Sequence, residues 1–170
     1  PIDHVVGADL GPQLARIAND AMAELCVRHP DRFPTFVAAL SLHDVDAALV
    51  ELARAIDDLG ARGVQIYSNV AGRPLDDVEF RPVFAAMAAR DLPVWLHPMR
   101  TAEDTDYAAE KKSRFEMWWA YGWPYETTVA MNRLVFDGLF DRHPEIKILT
   151  HHLGGMIPYF ADKIALGFSQ

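Results

Sequence analysis

Cysteine occurs only once in this sequence, at Cys26, so no internal disulfide can form. Flanked by Leu25 and Val27, it reads as a packed helix residue. A lone thiol suits a reducing compartment, and the expected location is the cytoplasm. No apolar run approaches the roughly 20 residues needed to span a bilayer, and no signal peptide is visible, so no membrane partner is expected. Basic residues are the minority, 16 against 24 acidic, giving a net charge of −8. With no basic cluster either, a nucleic-acid surface is excluded. No GxGxxG, Walker lysine loop, GxSxG elbow or HExxH appears, which removes the usual support for nucleotide binding and serine hydrolysis. The chain also opens on Pro1 and not on methionine, so further residues upstream are expected.

What is present is a globular composition, 170 residues of which 51% are hydrophobic. That length fits one domain, 1–170, with a real core. His4 to Asp9 is a short apolar run read as a strand. A helix follows from Gly11 to Arg28, with Leu14, Ile17, Ala18, Ala21, Met22 and Leu25 expected inward, and Pro30 stops it. Phe33 to Leu42 is the second strand candidate. Asp44 is the expected N-cap of a helix that Gly60 closes. Gly63 to Tyr67 is the third strand. After it, the loop Ser68 to Leu75 holds Asn69, Gly72 and Pro74. A helix from about Asp77 to Arg90 places Phe80, Val83, Phe84 and Met87 on one stripe. Val94 to Leu96 is the fourth strand. Arg100 to Trp123 reads as a lid or part-helical insertion, and Pro124 to Phe140 as a helix. Ile146 to Thr150 is the fifth strand, with a helix from about Met156. Alternating strands and helices imply a parallel α/β sheet with right-handed crossovers. Five units are too few for a closed eight-stranded barrel. They fit an open sheet or a piece of something larger.

Two of these strands stop on imidazole. His97 directly follows Pro93–Leu96, and His151 and His152 directly follow Ile146–Thr150, with Gly154 and Gly155 just beyond. In parallel sheets, reactive groups gather where strands end, so one shared pocket is expected. Imidazole there can bind a metal or move a proton near neutral pH. His97 equally fits a side chain bonded to a loop carbonyl, and the His151–His152 pair an ordinary glycine-rich turn. Successive strand residues point to opposite faces, so only one of His151 and His152 faces the pocket if the strand continues regularly. Trp118, Trp119 and Trp123 are substrate-binding candidates together with Asn69. The same tryptophans also fit an oligomer contact or the core of the insertion. His29 and His143 read as helix stops.

The phrases GVQI (63–66), PVWLHP (93–98), GWPYETTVA (122–130), GLFDRHP (138–144) and THHLGG (150–155) resemble the amidohydrolase-2 family. The nearest branch is the metal-dependent decarboxylases typified by aminocarboxymuconate-semialdehyde decarboxylase and γ-resorcylate decarboxylase. The resemblance covers nearly the whole chain and implies a (β/α)8 TIM barrel. This chain then forms a partial barrel of about five β/α units, read as strands two to six. It implies one divalent metal, Zn2+ or alternatively Mn2+, with His97 as a ligand. It assigns proton transfer to His152, or to His151 if the alignment shifts by one residue. The family's first-strand His-x-His or Glu-x-His pair and its late aspartate ligand have no match here. The activity implied is non-oxidative decarboxylation of an aromatic or muconate-like carboxylic acid by a homo-oligomer. The alternatives are a metal-dependent hydrolase of amidohydrolase or lactonase type, or an inactive fragment lacking a complete metal site.

Overall fold

The computed structural model describes residues 1–168. The opening segment is a one-turn helix, α1 (Ile2–Val5), where the sequence suggested a strand. Its apolar run stays outside the sheet, with Val5 exposed. Asp3 ties it down instead, its carboxylate accepting from the Ser41 hydroxyl at 2.6 Å and from Leu42 N–H at 2.9 Å. The long helix α2 (Gly11–Arg28) has the expected bounds. Its inward face differs from the one read from the sequence. Gly11, Ala15 and Asn19 are buried, while Leu14 and Ile17 are exposed. The reason is close approach. A Cβ on Gly11 would stand 2.1 Å from Ser41 Oγ, so only the small-residue stripe lets the helix settle here.

Asn19 adds a polar reason. Its carboxamide donates to Ala39 C=O at 3.0 Å and accepts from Ala39 N–H at 2.8 Å, and it also donates to Glu51. Ala39 belongs to β1 (Ala38–Ala39), which is all that forms of the longer strand expected over residues 33–42. Helix α3 (Val45–Ala53) starts at Asp44, whose Oδ1 accepts from Ala47 N–H at 2.9 Å. It runs into a π-helical turn, Arg54–Asp58, before Gly60 turns the chain with φ +79°.

Strand β2 (Val64–Tyr67) leads to a small hairpin, β3 (Asn69–Val70) with β4 (Arg73–Pro74). After a 3₁₀ turn comes α4 (Arg81–Ala89), with Pro82 in its first turn as its missing N–H requires. The expected stripe Phe80, Val83, Phe84 and Met87 is fully buried. Side chains of this size contribute about 1.5–3 kcal/mol each on burial.

β5 (Pro93–His97) follows. Next comes an irregular excursion carrying α5 (Met117–Ala120), then α6 (Gly122–Phe136) and α7 (Leu139–Arg142). On α6 the buried residues are Gly122, Thr127, Ala130 and Leu134, and Val135 is exposed. β6 (Lys147–Thr150) and α8 (Ile157–Phe168) complete the described chain.

The sheet is parallel, in the order β1-β2-β5-β6. It has four strands and not five, because the first candidate forms the end of α1 and a turn. Its register separates two faces. Ala38, Val64, Ile66, Val94 and Leu96 are buried among the helices in one contiguous core. Tyr67 pairs with His97, and Trp95 with Leu149, on the opposite face. That second face carries the candidate site.

Candidate active site

His97 ends β5 on the open face of the sheet. Its Nδ1 lies 2.7 Å from Pro98 O. A carbonyl only accepts, so Nδ1 carries the proton and Nε2 keeps its lone pair free. The loop-carbonyl bond considered from sequence is therefore present, and it leaves Nε2 available to bind a metal.

The sheet register pairs Leu96 with Thr150, so one step further His151 stands beside His97. Its N–H donates to Leu96 O at 3.0 Å. Were the strand to continue, His152 would point the other way. It does not continue. His152 has φ +54° and Leu153 φ +56°, in a 3₁₀ turn that Gly154 and Gly155 also enter with positive φ. The turn swings His152 back, and all three imidazoles meet. Ring centroids are 4.8 Å apart for His97 and His151, 5.4 Å for His97 and His152, and 6.1 Å for His151 and His152. One ring nitrogen from each lies within 4.8 Å of the others.

Trp123 forms a wall against this cluster, 5.1 Å from His97 and 5.2 Å from His152. Its indole Nε1 donates to Arg100 O at 3.0 Å. Trp118 and Trp119 pack edge-on against Trp123 at 5.6 and 6.5 Å, and Trp118 Nε1 donates to Glu116. Tyr67 contacts His97 from the neighbouring strand at 5.6 Å. Asn69 holds the loops through its carboxamide, donating to Met99 O at 3.1 Å and accepting from Gly72 N–H at 2.9 Å. It also lines a cavity of about 600 Å³ with Tyr67, Ser68, Met99 and Glu126.

Burial lowers the pKa of His97, against a smaller raising effect of the Pro98 bond, and burial also lowers that of His151. Both rings are thus held neutral at neutral pH, the form that donates a lone pair. Burial pushes Glu126 the other way, upward, while the Ser68 bond and the Arg100 guanidinium hold it down.

The residues present fit a divalent ion. Imidazole is a donor of the right type, and the buried Nε2 of His151 has no hydrogen-bond partner, an arrangement that a bound cation would satisfy. Single-residue reading missed Ser68, Arg100 and Glu126. Glu126 lay in view inside the phrase over residues 122–130, but its signal was only helix periodicity.

Strand-end histidines gathered on the open face of a parallel α/β sheet stand where barrel folds place their reactive groups. The family profile described as Amidohydrolase matches residues 3–167, and the chain belongs to the amidohydrolase family. It is 37% identical over 159 residues to a gamma-resorcylate decarboxylase from Rhizobium radiobacter, covering 89% of this chain and 48% of that protein. It is 31% identical over 156 residues to the 2-amino-3-carboxymuconate-6-semialdehyde decarboxylase of Dictyostelium discoideum, covering 92% of this chain and 42% of that one. Among solved structures, a 5-carboxyvanillate decarboxylase from Novosphingobium aromaticivorans superposes with a TM-score of 0.84 at 29% identity. The match covers 98% of this chain and 46% of that structure, which is complexed with manganese and 4-hydroxy-3-methoxy-5-nitrobenzoic acid. A 2,6-dihydroxybenzoate decarboxylase from Rhizobium gives a TM-score of 0.80 at 30% identity, over 95% of this chain and 51% of that one. The chain spans about half the length of the curated relatives it matches. Its fold is of the (β/α) barrel type, of which it forms part.

Proposed function

We propose that this chain carries part of the active site of a metal-dependent, non-oxidative decarboxylase acting on an aromatic or muconate-like carboxylic acid. The observation that carries the reading is the convergence of His97, His151 and His152 on one point, in a chain similar to decarboxylases of such acids. His97 is the proposed ligand, with a ring nitrogen of His151 within 4.8 Å of the His97 donor and so the proposed second one. Manganese, named in a related structure, is the first ion to test, and zinc the second. When bound, such an ion supplies a Lewis acid that polarises an acidic substrate oxygen.

The chain's own residues do the rest. Decarboxylation consumes one proton and releases CO₂. The bond from the ring or diene carbon to the carboxyl carbon breaks, and its electron pair stays behind and takes the proton. Exposed His152 is the proposed proton donor, with His151 the other candidate. Trp123 supplies an apolar wall for a flat substrate, Trp118 and Trp119 back it, and Asn69 lines the cavity beside Glu126 as the proposed polar substrate contact. Hydrolysis would use the same donors, so CO₂ release decides between the two. The test is to incubate the manganese-loaded protein with carboxylated aromatic acids and measure CO₂. Turnover without CO₂ would move the assignment to a hydrolase.

Two further features belong to this reading. Exposed rings on the excursion, Tyr107, Phe115 and Tyr121 among them, support a homo-oligomer. The lone, half-buried Cys26 supports a reducing, cytoplasmic compartment. No helix among the described residues is long and apolar enough to cross a membrane.

A further inference from the structure

The turn that follows His97 is held from both ends by one helix face. Trp123 and Glu126 are three residues apart on α6 and so lie on the same side of it. Trp123 grips the far end of the turn through Arg100 O. Glu126 reaches the near end through an intermediary, Ser68, which is buried where β2 ends.

Ser68 touches the turn twice. Its N–H donates to His97 O at 2.9 Å, and its Oγ accepts from Met99 N–H at 2.8 Å. A hydroxyl has one proton to give. With Met99 occupying a lone pair, the Ser68 proton is directed to Glu126 Oε2, 3.3 Å away. Arg100 Nη1 stands 3.8 Å from the other carboxylate oxygen. Glu126 therefore selects the rotamer in which Ser68 accepts from Met99. Pro98, whose carbonyl fixes the His97 ring through Nδ1, lies between the two backbone groups that Ser68 holds.

We propose that Glu126 is a positioning residue: acting through the Ser68 hydroxyl, it fixes the His97–Arg100 turn and with it the direction of the His97 lone pair. The inference rests on the reading of His97 as a metal ligand. Partners that orient a ligand in this way change metal affinity by about 10–100-fold when removed.

The test is a manganese titration of the intact protein, reading free Mn2+ by its electron paramagnetic resonance signal, well below the melting temperature. Glu126→Ala and Ser68→Ala should each weaken Mn2+ binding by about 10–100-fold. Glu126→Gln should keep most of the affinity, since its amide oxygen still accepts from Ser68. The double variant should bind no more weakly than the weaker single one, because both act along one path. Affinity within twofold of wild type in Glu126→Ala, whatever its melting temperature, overturns the proposal. So does a double variant whose losses multiply. Should Glu126→Ala fail to fold, Ser68→Ala and Glu126→Gln carry the same decision. A wild-type protein that binds no Mn2+ overturns the decarboxylase reading and this inference together. Tight wild-type binding with an indifferent Glu126→Ala overturns this inference alone.

Discussion

Three histidines share the cluster, but they differ in setting. His97 is half-buried and bonded through Nδ1, His151 has a buried nitrogen without a partner, and His152 is exposed on a left-handed backbone. Their substitution should therefore separate two functions. In the full-length protein, His97→Ala is expected to lose metal and activity together. His152→Ala should keep its metal and lower kcat by about 10²–10⁴-fold, the scale of general acid–base groups. Elemental analysis beside a CO₂ assay checks both. A dead His151→Ala with a normal His152→Ala would move the proton role back one residue. The same rings set an acid limit on stability. His97 and His151 have pKa values below the ordinary imidazole value of about 6.5, owing first to burial. Above that value both folded and unfolded chains hold them neutral. Below it the unfolded chain takes up protons first, so stability falls as pH drops through the window beneath 6.5. Melting temperature followed from pH 8 to pH 5 should show this fall, and a His97→Phe variant should show less of it. Equal slopes would remove His97 from the effect.

At the level of elements, the turn after β6 decides the site. Gly155 has φ +64°, and a Cβ there would stand 2.5 Å from Pro124 O and 3.0 Å from Thr128 Oγ1. The turn thus packs directly on α6, where Thr128 Oγ1 accepts from Met156 N–H at 2.8 Å. Gly155→Ala should destabilise the fold by more than about 1 kcal/mol, and it should lower kcat as His152 shifts. Denaturant unfolding with a parallel CO₂ assay checks both parts. Where elements have strong local signals, the sequence was readable. The Asp44 cap, the Phe80–Met87 stripe, the strand ends at His97 and Thr150 and the bounds of α2 all appear as expected. What stayed hidden depends on contacts between elements. The inward face of α2 was set by close approach at Gly11 and by Asn19 bonding Ala39, not by its largest apolar side chains. The strand expected at residues 4–9 became the end of α1 and a turn, where Asp3 found partners at Ser41 and Leu42. The meeting of both His151 and His152 with His97 needed a break in alternation that no periodicity announces. The clasp of Ser68 and Glu126 on the His97 turn spans 58 residues, beyond any local pattern.

Across the whole molecule, the sheet is open. β6 pairs with β5 on one side only among the described residues, and its Leu149 is exposed. Leu14 and Ile17 on α2 and Tyr159 and Leu166 on α8 are exposed as well. An unpaired strand edge and exposed apolar residues are each templates for association. The 170-residue chain by itself is expected to self-associate with rising concentration, measured by sedimentation. Replacing Leu149 and Ile17 by lysine should reduce that association while leaving the helical content unchanged. A monomer at every concentration would show that these surfaces do not attract one another.

Asn19 presents to Ala39 the same donor and acceptor that a neighbouring peptide group would. The amide proton of Ala39 is therefore sealed by a side chain of α2, not by a strand. Its exchange with deuterium reports whether the helix has lifted off, whereas the Ala38 amide, bonded to Gly63 O, reports whether the strands have parted. Two adjacent protons on one short strand thus time two separate openings of the same domain, and the order in which they exchange states which layer of the fold loosens first.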